Sequence, residues 1–394
     1  MSNARFSMRG PSLVAALFGR IDVNNAEDVE QGIRDALAAH VEEGLVLDLD
    51  DLTYVSSAGL RVFLRLARQV GQFSIENASS GVYEVLEMTG FTDMFDVSKA
   101  YRRVSIDGCA VVGRGAKGAV YRLGPETIVK VIYDTDGDTL EDIKRERVLA
   151  RTAFVAGIPT AISYDVVRVG EGFGAVYELL NASTLADLIA KGAWPVSQAA
   201  VAMADIMAQM HETHVSTGDM PSARGIQLDD FALLDGFLDD GTYRRIHALV
   251  ADLPEDDLFI HGDYHAGNIM VQNGEPLLID MDTLAYGNPV LELGPVYNAY
   301  VGFGEIDHSI AEKYLGFSYE TSVELWEVMA DRYAQKRGLD LADVLRKAEF
   351  MGRVRQVRRL VAHGQQDTDH AKLVLERCLG RIAELLEEIG SLGL

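Results

Sequence analysis

The segment from Ile260 to Asp282 concentrates side chains that could do chemistry, and it reads I-H-G-D-Y-H-A-G-N-I-M-V-Q-N-G-E-P-L-L-I-D-M-D. Asn273-Gly274 is a preferred two-residue hairpin turn, because both central positions of such a turn need positive φ. If the flanking runs pair across this turn, Asn268 lies beside Asp280 at the mouth of the hairpin. An amide oxygen and a carboxylate oxygen suit Mg²⁺, which takes few protein oxygens and leaves its other positions to water and phosphate. The spacing therefore predicts a magnesium site formed by Asn268 and Asp280.

Asp263 precedes Asn268 with the D-x-x-x-x-N spacing of a kinase catalytic loop. In such a loop the aspartate accepts or orients the proton of an attacking hydroxyl, and general-base help is worth roughly 10²–10⁴ in rate. We therefore expect Asp263 to be a catalytic base. Phosphoryl transfer also needs a nucleotide site, and candidate parts for one lie upstream.

A glycine-rich stretch is the first of these parts. Gly113, Gly115 and Gly118 form G-x-G-x-x-G-x-V between two strand-like runs. The same glycine spacing marks dinucleotide-binding folds, but in those folds a helix follows the glycines. Here residues 120–123 continue as a strand, which favours a flap over nucleotide phosphates.

A lysine inside an apolar strand is the second part. Lys130 stands in I-V-K-V-I, and burying an unpaired ammonium group is costly. Glu146, on the helical stretch that follows, is the favoured partner, and Glu141 is the alternative. Farther along the chain, Glu178 and Leu179 end the next strand, where a hinge would offer backbone groups to adenine.

Residues from about 108 to 300 resemble the aminoglycoside phosphotransferase and choline kinase branch of the protein-kinase-like fold. The motifs that carry this resemblance are H-G-D-x-x-x-x-N and I-D-x-D. The resemblance implies ATP and Mg²⁺ as cofactors, with Asp263 as the base and Asn268 and Asp280 as metal ligands. It also implies that Lys130 contacts the α- and β-phosphates.

The same resemblance implies that Glu146 pairs with Lys130 and that the three glycines form the phosphate loop. Two positions depart from protein kinases. Met281-Asp282 stands where Phe-Gly is usual, and Gly262 replaces the arginine that reads a phosphorylated activation loop. We therefore expect no switching through an activation-loop phosphate.

The first hundred residues alternate short apolar strands with amphipathic helices, which predicts an α/β domain. Residues 8–104 resemble the STAS domain, the anti-sigma-factor-antagonist module, through G-R-I-D-V-N-N-A, L-V-L-D-L-D-D-L-T-Y-V-S-S-A-G-L, I-E-N-A-S-S-G-V and L-E-M-T-G-F. In that family a partner kinase phosphorylates a serine at a strand-to-helix turn and so switches a protein–protein contact. The resemblance places this phosphoacceptor at Ser57, and Ser56 or Ser57 is expected to cap the helix that follows.

Composition argues against several classes of function. The net charge of −24 is unsuited to a general nucleic-acid-binding surface. Cys109 and Cys378 are the only cysteines, too few for a disulfide framework or a thiolate metal site. No run approaches the roughly 20 apolar residues of a membrane helix, and the N-terminus lacks a signal-peptide core. These features predict a cytoplasmic protein without a nucleic-acid or membrane partner.

The predicted fold class is a STAS-like α/β domain at residues 1–104, followed by a bilobal protein-kinase-like α+β domain. Its β-rich, nucleotide-binding N-lobe is predicted at residues 105–180. Its mainly helical C-lobe, with the catalytic loop and the acceptor site, is predicted at residues 181–394. In this C-lobe we expect Asp282 and Glu292 to line the acceptor site. We expect the arginine-rich stretch 346–359 to be the solvated face of a helix.

Three functions are compatible with these features. The favoured one is an ATP-dependent phosphotransferase that acts on a hydroxyl of an aminoglycoside, an amino alcohol or a sugar. Its STAS-like domain would be a regulatory or docking module for a protein partner. One alternative is a serine kinase that acts on a STAS domain, with Ser57 as acceptor in cis or in trans. The other is a pseudokinase scaffold that only binds nucleotide, against which the joint presence of Lys130, Asp263, Asn268 and Asp280 argues.

Overall fold

A computed structural model describes residues 3–39, 44–114, 118–133, 139–180, 182–218 and 220–394. The chain divides into two units, Met1–Ser105 and Ile106–Leu394. Buried apolar side chains form one core in the first unit and two in the second. Among the described residues, no helix combines the length and the apolar character needed to cross a membrane.

The first unit is an α/β arrangement of strands and short helices. Its strands are β1 (Ala4–Arg9), β2 (Ser12–Ile21), β3 (Gly44–Val55), β4 (Gln72–Ala78), β5 (Asp96–Lys99) and β6 (Arg102–Val104). Its helices are α1 (Ala26–Ala39), α2 (Ser57–Ala67), α3 (Ser80–Met88) and α4 (Phe91–Met94). Five of the strands pair in the order β1-β2-β3-β4-β5, with β1 antiparallel to β2 and the other pairs parallel.

The core of this unit follows from its apolar spacing. In β3, Leu45, Leu47 and Leu49 are buried, as alternation along a strand requires. In α2, Phe63 and Leu66 lie three residues apart on one helical face and are fully buried. Strand β1 was not predicted, because the side chains after its first residue are exposed and give no apolar alternation.

The second unit begins with strands and becomes mainly helical. Its strands are β7 (Val111–Arg114), β8 (Gly118–Arg122), β9 (Thr127–Ile132), β10 (Asp165–Val169), β11 (Gly172–Glu178), β12 (Ser183–Thr184), β13 (Phe259–Ile260), β14 (Ile269–Gln272), β15 (Glu275–Leu278) and β16 (Ala285–Tyr286). Its helices are α5 (Thr139–Val155), α6 (Leu185–Ala190), α7 (Val196–Met210), α8 (Ala223–Phe231), α9 (Asp240–Ala251), α10 (Val290–Tyr297), α11 (Ser309–Leu315), α12 (Tyr319–Arg337), α13 (Leu341–Ala362) and α14 (Asp369–Glu388).

Two sheets of this unit position the candidate site. Strands β7 to β11 form an antiparallel sheet in the order β10-β11-β9-β8-β7, and α5 packs against β11. Strands β12, β14 and β15 form a second, three-stranded sheet that contains the predicted hairpin. An α/β unit followed by a sheet-and-helix unit confirms the predicted fold class.

Helix α13 departs from the sequence prediction. The stretch 346–359 was expected to be a solvated face, but the side chain of Arg353 is only 4% exposed. Its guanidinium donates to Glu305 Oε1 at 2.7 Å and to the Tyr297 hydroxyl at 2.9 Å. These charge-assisted bonds offset the cost of burial, so a charged residue can occupy a core position. The prediction is therefore wrong for Arg353.

Candidate active site

The hairpin of β14 and β15 has the register that its turn residues predict. Gln272 pairs with Glu275 across Asn273-Gly274, and both turn residues have positive φ, 54° and 85°. At the other end, the N–H of Ile279 donates to the carbonyl of Asn268 at 3.0 Å. The hairpin therefore brings Asn268 and the segment that carries Asp280 together at its mouth.

Asn268 is oriented by Asp263. Its Nδ2 group donates to the backbone carbonyl of Asp263 at 2.9 Å and to Oδ2 of the same residue at 3.2 Å. Among the described residues no donor engages Asn268 Oδ1. The amide oxygen is therefore left for another ligand, and the two residues are held as one unit.

Asp263 is an ionised carboxylate with a half-exposed side chain. His265 Nε2 lies 3.6 Å from its Oδ2 atom. Burial alone would raise the pKa of Asp263, but His265, His261 and Asn268 favour the charged form and hold the pKa below its ordinary value. His261 itself is fully buried, and burial lowers its pKa to about 4, so its imidazole is neutral at physiological pH.

The loop that carries Asp263 is fixed by a buried glutamate. Glu292 accepts from the N–H groups of His261 at 2.6 Å and Gly262 at 3.0 Å. Gly262 has φ of 85°, and a Cβ there would lie 2.5 Å from the carbonyl oxygen of Thr283. Burial raises the pKa of Glu292 to about 7, although the two N–H groups oppose that rise. Glu292 therefore holds the loop rather than lining an acceptor site, and our expectation for it is wrong.

Lys130, Glu146 and Asp280 form a cluster beside the hairpin. Lys130 Nζ lies 3.1 Å from Glu146 Oε1 and 2.6 Å from Asp280 Oδ1. The alternative partner, Glu141, contacts Lys144 on its own helix instead. Burial lowers the pKa of Lys130, but the two carboxylates outweigh that effect, so its pKa lies above the ordinary value. The lysine therefore remains an ammonium group at physiological pH.

Asp280 has an uncommon backbone conformation. Its φ is 65°, a region that non-glycine residues rarely occupy and that costs free energy. This conformation follows directly on the end of β15 and accompanies the contact between the carboxylate and Lys130. Such outliers cluster at functional sites, so this conformation marks Asp280 as a candidate functional residue.

The glycine-rich stretch occupies the end of β7 and the start of β8. A Cβ at Gly118 would lie 2.1 Å from the carbonyl oxygen of Val131, so close strand approach requires glycine there. A Cβ at Gly113 would meet nothing closer than 4.0 Å. Gly115 lies outside the described residues.

The predicted hinge residues lie at the end of β11. The N–H of Leu179 donates to the carbonyl of Glu126 at 2.8 Å, so this amide is already engaged. The Glu178 carboxylate accepts from the Tyr164 hydroxyl at 3.2 Å. A nucleotide base at this position would have to use other backbone groups of the segment.

Two residues of the site escaped the sequence prediction. The Tyr300 hydroxyl accepts from the N–H of Ala266 at 2.7 Å and so supports the loop after Asp263. The Tyr177 hydroxyl donates to Glu146 Oε1 at 3.2 Å and so orients the partner of Lys130. Both contacts join residues more than thirty positions apart, and no local pattern marks them.

The metal-binding potential of the site depends on oxygen donors. Among the described residues, no cluster of three or more His, Cys, Asp or Glu side chains could hold a metal ion. Asn268 Oδ1 and Asp280 Oδ2 have no hydrogen-bond donor among those residues. One carboxylate and one amide oxygen form a donor set that suits Mg²⁺ only when phosphate oxygens complete its coordination.

The second predicted site lies at the start of α2 in the first unit. Ser56 Oγ accepts from the N–H groups of Ala58 at 3.2 Å and Gly59 at 3.5 Å, so Ser56 is the N-cap. Ser57 is the first helical residue and is exposed. A Cβ at Gly59 would lie 2.7 Å from Val55, so the close packing of this helix requires glycine.

Comparison with known proteins covers both units. The phosphotransferase enzyme family model matches residues 108–331, and the STAS domain model matches residues 7–105. BtrV of Bordetella bronchiseptica, a protein described as an anti-sigma factor antagonist, is 40% identical over 95 residues, which are 22% of this chain and 78% of that protein.

Two solved structures are similar over most of the chain. The ADP-bound aminoglycoside phosphotransferase APH(2'')-Ib is 15% identical, with a TM-score of 0.46, over 77% of this chain and 96% of that one. A choline/ethanolamine kinase family protein from Mesorhizobium loti is 15% identical, with a TM-score of 0.45, over 71% of this chain and 91% of that one.

Proposed function

Because the chain belongs to the phosphotransferase enzyme family and carries a STAS domain ahead of its phosphotransferase domain, we propose that it transfers the γ-phosphate of ATP to a hydroxyl group of a small molecule. One observation carries the proposal. The ammonium group of Lys130 lies 2.6 Å from Asp280. Asp280 follows one strand of the hairpin, and Asn268, which donates to Asp263, precedes the other strand. Groups suited to phosphate, to metal and to a hydroxyl proton thus occur around one hairpin.

In the proposed reaction, the acceptor oxygen attacks the γ-phosphorus. The bond from that phosphorus to the β–γ bridging oxygen breaks, ADP leaves with the bond's electron pair, and the hydroxyl proton passes to Asp263. Asn268 and His265 both face Oδ2 of Asp263, so Oδ1 is the oxygen left for the proton. The lowered pKa of Asp263 keeps this carboxylate ionised and ready to orient the hydroxyl.

The nucleotide side is assigned to Lys130. Its ammonium group would contact the α- and β-phosphates while Glu146 holds it in place. Asn268 Oδ1 and Asp280 Oδ2 would hold Mg²⁺ against the phosphate oxygens. The ion, when bound, neutralises charge that develops on the phosphates during transfer. Lys130 must then exchange its contact with Asp280 for one with phosphate, which the flexible lysine stem allows.

The first unit is assigned a docking role. The resemblance to the STAS family implies that this unit makes protein–protein contacts, so we propose a protein partner for it.

A second function is the phosphorylation of Ser57 by this or another copy of the chain, which the exposure of Ser57 at a helix N-terminus favours. Incubation of the full chain with Mg-ATP, followed by intact-mass analysis, tests the phosphorylation of Ser57. A phosphate that maps to Ser57 and is missing from Asp263→Asn supports it, and unmodified protein rejects it.

A coupled assay of ADP release tests the main proposal. The full chain is incubated with Mg-ATP and with aminoglycosides, amino alcohols, hydroxy acids or sugars in turn. We expect one class to raise ADP release above the rate with water alone, and phosphorylated acceptor to accumulate in equal amount. Failure of the chain to bind Mg-ATP at all would refute the proposal.

A further inference from the structure

The short helical turn Ala266–Asn268 carries the predicted metal ligand Asn268, and each of its N–H groups has an acceptor. The N–H of Gly267 donates to His265 Nδ1 at 3.0 Å, and the N–H of Asn268 donates to the carbonyl of His265 at 2.9 Å. The N–H of Ala266 donates to the Tyr300 hydroxyl at 2.7 Å. Of these three hydrogen bonds, only the one to Tyr300 leaves the loop, so it ties the turn to the helical part of the unit.

The Tyr300 hydroxyl is held in a buried position, since the residue is only 1% exposed. It donates to Met203 Sδ in α7 at 3.8 Å, which leaves its oxygen to accept from Ala266. The carbonyl of the same methionine accepts from the Tyr264 hydroxyl at 2.6 Å. The carbonyl of Tyr300 accepts from Ser322 Oγ at 2.6 Å. Both the backbone and the hydroxyl of Tyr300 therefore have partners that fix them, and the catalytic loop rests on Tyr300 and on α7.

One helical segment holds both sides of the catalytic loop. Helix α10 continues directly into a π-helical turn, Asn298–Gly302, which includes Tyr300. Glu292 in α10 accepts from the N–H groups of the two residues before Asp263, and Tyr300 accepts from an N–H that follows it. The backbone on either side of Asp263 is thus attached to groups eight positions apart on a single segment.

The π-helical turn explains how groups with this spacing reach the same loop. In a regular α-helix, with about 100° of rotation per residue, side chains eight positions apart point roughly 80° apart. A π turn has more residues per turn, so each residue rotates less, and Tyr300 turns back toward the side that carries Glu292. Asn298 secures the turn, because its Nδ2 donates to the carbonyl of Gly352 at 2.8 Å and its Oδ1 accepts from Gln356 Nε2 at 2.7 Å. Single π turns within helices are frequent at functional sites.

We propose that Tyr300 is a positioning residue for metal binding: its hydroxyl fixes the turn that carries Asn268 and so sets the place of Asn268 Oδ1. The inference rests on the proposed function and adds to it a residue that acts through the loop backbone. Mg²⁺ tolerates little departure from octahedral geometry, so a small shift of Asn268 should lower its affinity. Glu292 still holds the residues before Asp263 when the Tyr300 hydroxyl is removed. The loss should therefore fall on the metal rather than on the nucleotide alone.

Calorimetric titration of the full chain with AMP-PNP, once with saturating Mg²⁺ and once in EDTA, tests this inference. The measured quantity is the ratio of the two affinities, which is the gain that the metal supplies. Tyr300→Phe removes the hydroxyl and keeps the ring. We expect this variant to lower the ratio about tenfold or more, because losing a group that orients a metal ligand typically has an effect of that size. Its affinity for AMP-PNP in EDTA should match that of the wild-type chain.

Tyr333→Phe is the matched control. Tyr333 is fully buried in the same apolar core as Tyr300, and its hydroxyl lies 2.7 Å from His211 Nδ1 rather than against the loop. Both variants lose one buried hydroxyl with its hydrogen bond, so the thermal unfolding midpoint should fall in both. The affinity ratio of Tyr333→Phe should equal that of the wild-type chain.

The inference is wrong if Tyr300→Phe keeps the wild-type ratio, if Tyr333→Phe lowers the ratio as much, or if Tyr300→Phe loses its AMP-PNP affinity equally in EDTA. Hydrogen exchange of the Ala266 amide in the wild-type chain, followed by NMR, tests the contact without a variant. We expect this amide to be protected, and exchange at the rate of an unfolded chain would overturn the inference. A wild-type chain that binds no AMP-PNP with Mg²⁺ refutes the proposed function and this inference together. Binding of Mg–AMP-PNP with an unchanged ratio in Tyr300→Phe refutes this inference alone.

Discussion

Lys130 in β9 and Glu146 in α5 form an ion pair with 3.1 Å between Nζ and Oε1. The pair joins the sheet to the helix packed against it, and the glutamate is buried. Removing Lys130 by Lys130→Met should lower turnover roughly 10²–10³-fold, because a preorganised positive donor for the phosphates is lost. The rate of ADP release measures this loss of turnover. Lys144→Met, on the same helix as Glu146, is the control and should retain full turnover, and equal rates for the two variants would contradict the role of Lys130.

The two described glycines of the predicted phosphate loop should respond differently to alanine. In Gly118→Ala the new Cβ would lie 2.1 Å from the carbonyl oxygen of Val131, so β8 and β9 must separate. Overpacking of this kind costs roughly 1–3 kcal/mol. In Gly113→Ala the new Cβ would lie 4.0 Å from the Cβ of Val120, an ordinary contact, so this variant should keep the wild-type stability. Thermal unfolding of the two variants compares them directly, and equal midpoints would show that the strands do not approach as closely as described.

Alanine variants of Ser56 and Ser57 should differ in stability, because only Ser56 caps helix α2. Ser56→Ala removes the acceptor for two N–H groups at the start of α2 and should cost about 1 kcal/mol of stability. Ser57→Ala changes an exposed residue and should stay within about 0.5 kcal/mol of wild type. Denaturant unfolding of the full chain measures both. A larger loss in Ser57→Ala than in Ser56→Ala would reverse the assignment of the cap.

Glu292 should make stability depend on pH. Its pKa is raised from an ordinary value of 4.5 to about 7 in the folded chain, so between these pH values the folded state binds more protons than the unfolded state. The contribution of Glu292 to the free energy of unfolding therefore falls as the pH rises through this window. Glu292→Gln cannot titrate, so the stability of wild type relative to this variant should decrease by up to about 3 kcal/mol between about pH 4.5 and about pH 7.

Denaturant unfolding of both proteins at several pH values measures this difference. A shared dependence from the other titrating groups cancels in the comparison, because the two chains differ only at Glu292. If the difference in stability between the two chains is constant across the window, the carboxyl group of Glu292 is not buried in the way described.

Local signals made part of the site predictable from sequence. Asn273-Gly274 fixes the register of its hairpin, so the approach of Asn268 to the segment that carries Asp280 follows from the turn. Lys130 stands out because an ammonium group in an apolar strand needs a partner, and the helix after it offers few. Both inferences use short-range geometry, which a sequence displays directly.

The rest of the site depends on long-range packing. The contact from Gly262 to Glu292 spans 30 positions, and that from Ala266 to Tyr300 spans 34. Helix α13 is buried on several faces, so its apolar spacing does not separate a core side from a solvent side, and the pattern could not show that Arg353 is buried. Strand β1 is exposed along most of its length and gives no alternation to detect.

Replacement of Asp263 by asparagine tests the central claim, that this chain transfers phosphate with Asp263 as the base. With the acceptor that gives the fastest ADP release, we expect kcat of Asp263→Asn to fall by roughly 10²–10⁴ while KM for ATP and affinity for AMP-PNP stay the same. The substitution keeps the size of the side chain while it removes the negative charge and the ability to take the proton. An Asp263→Asn chain that turns over at the wild-type rate would contradict the claim.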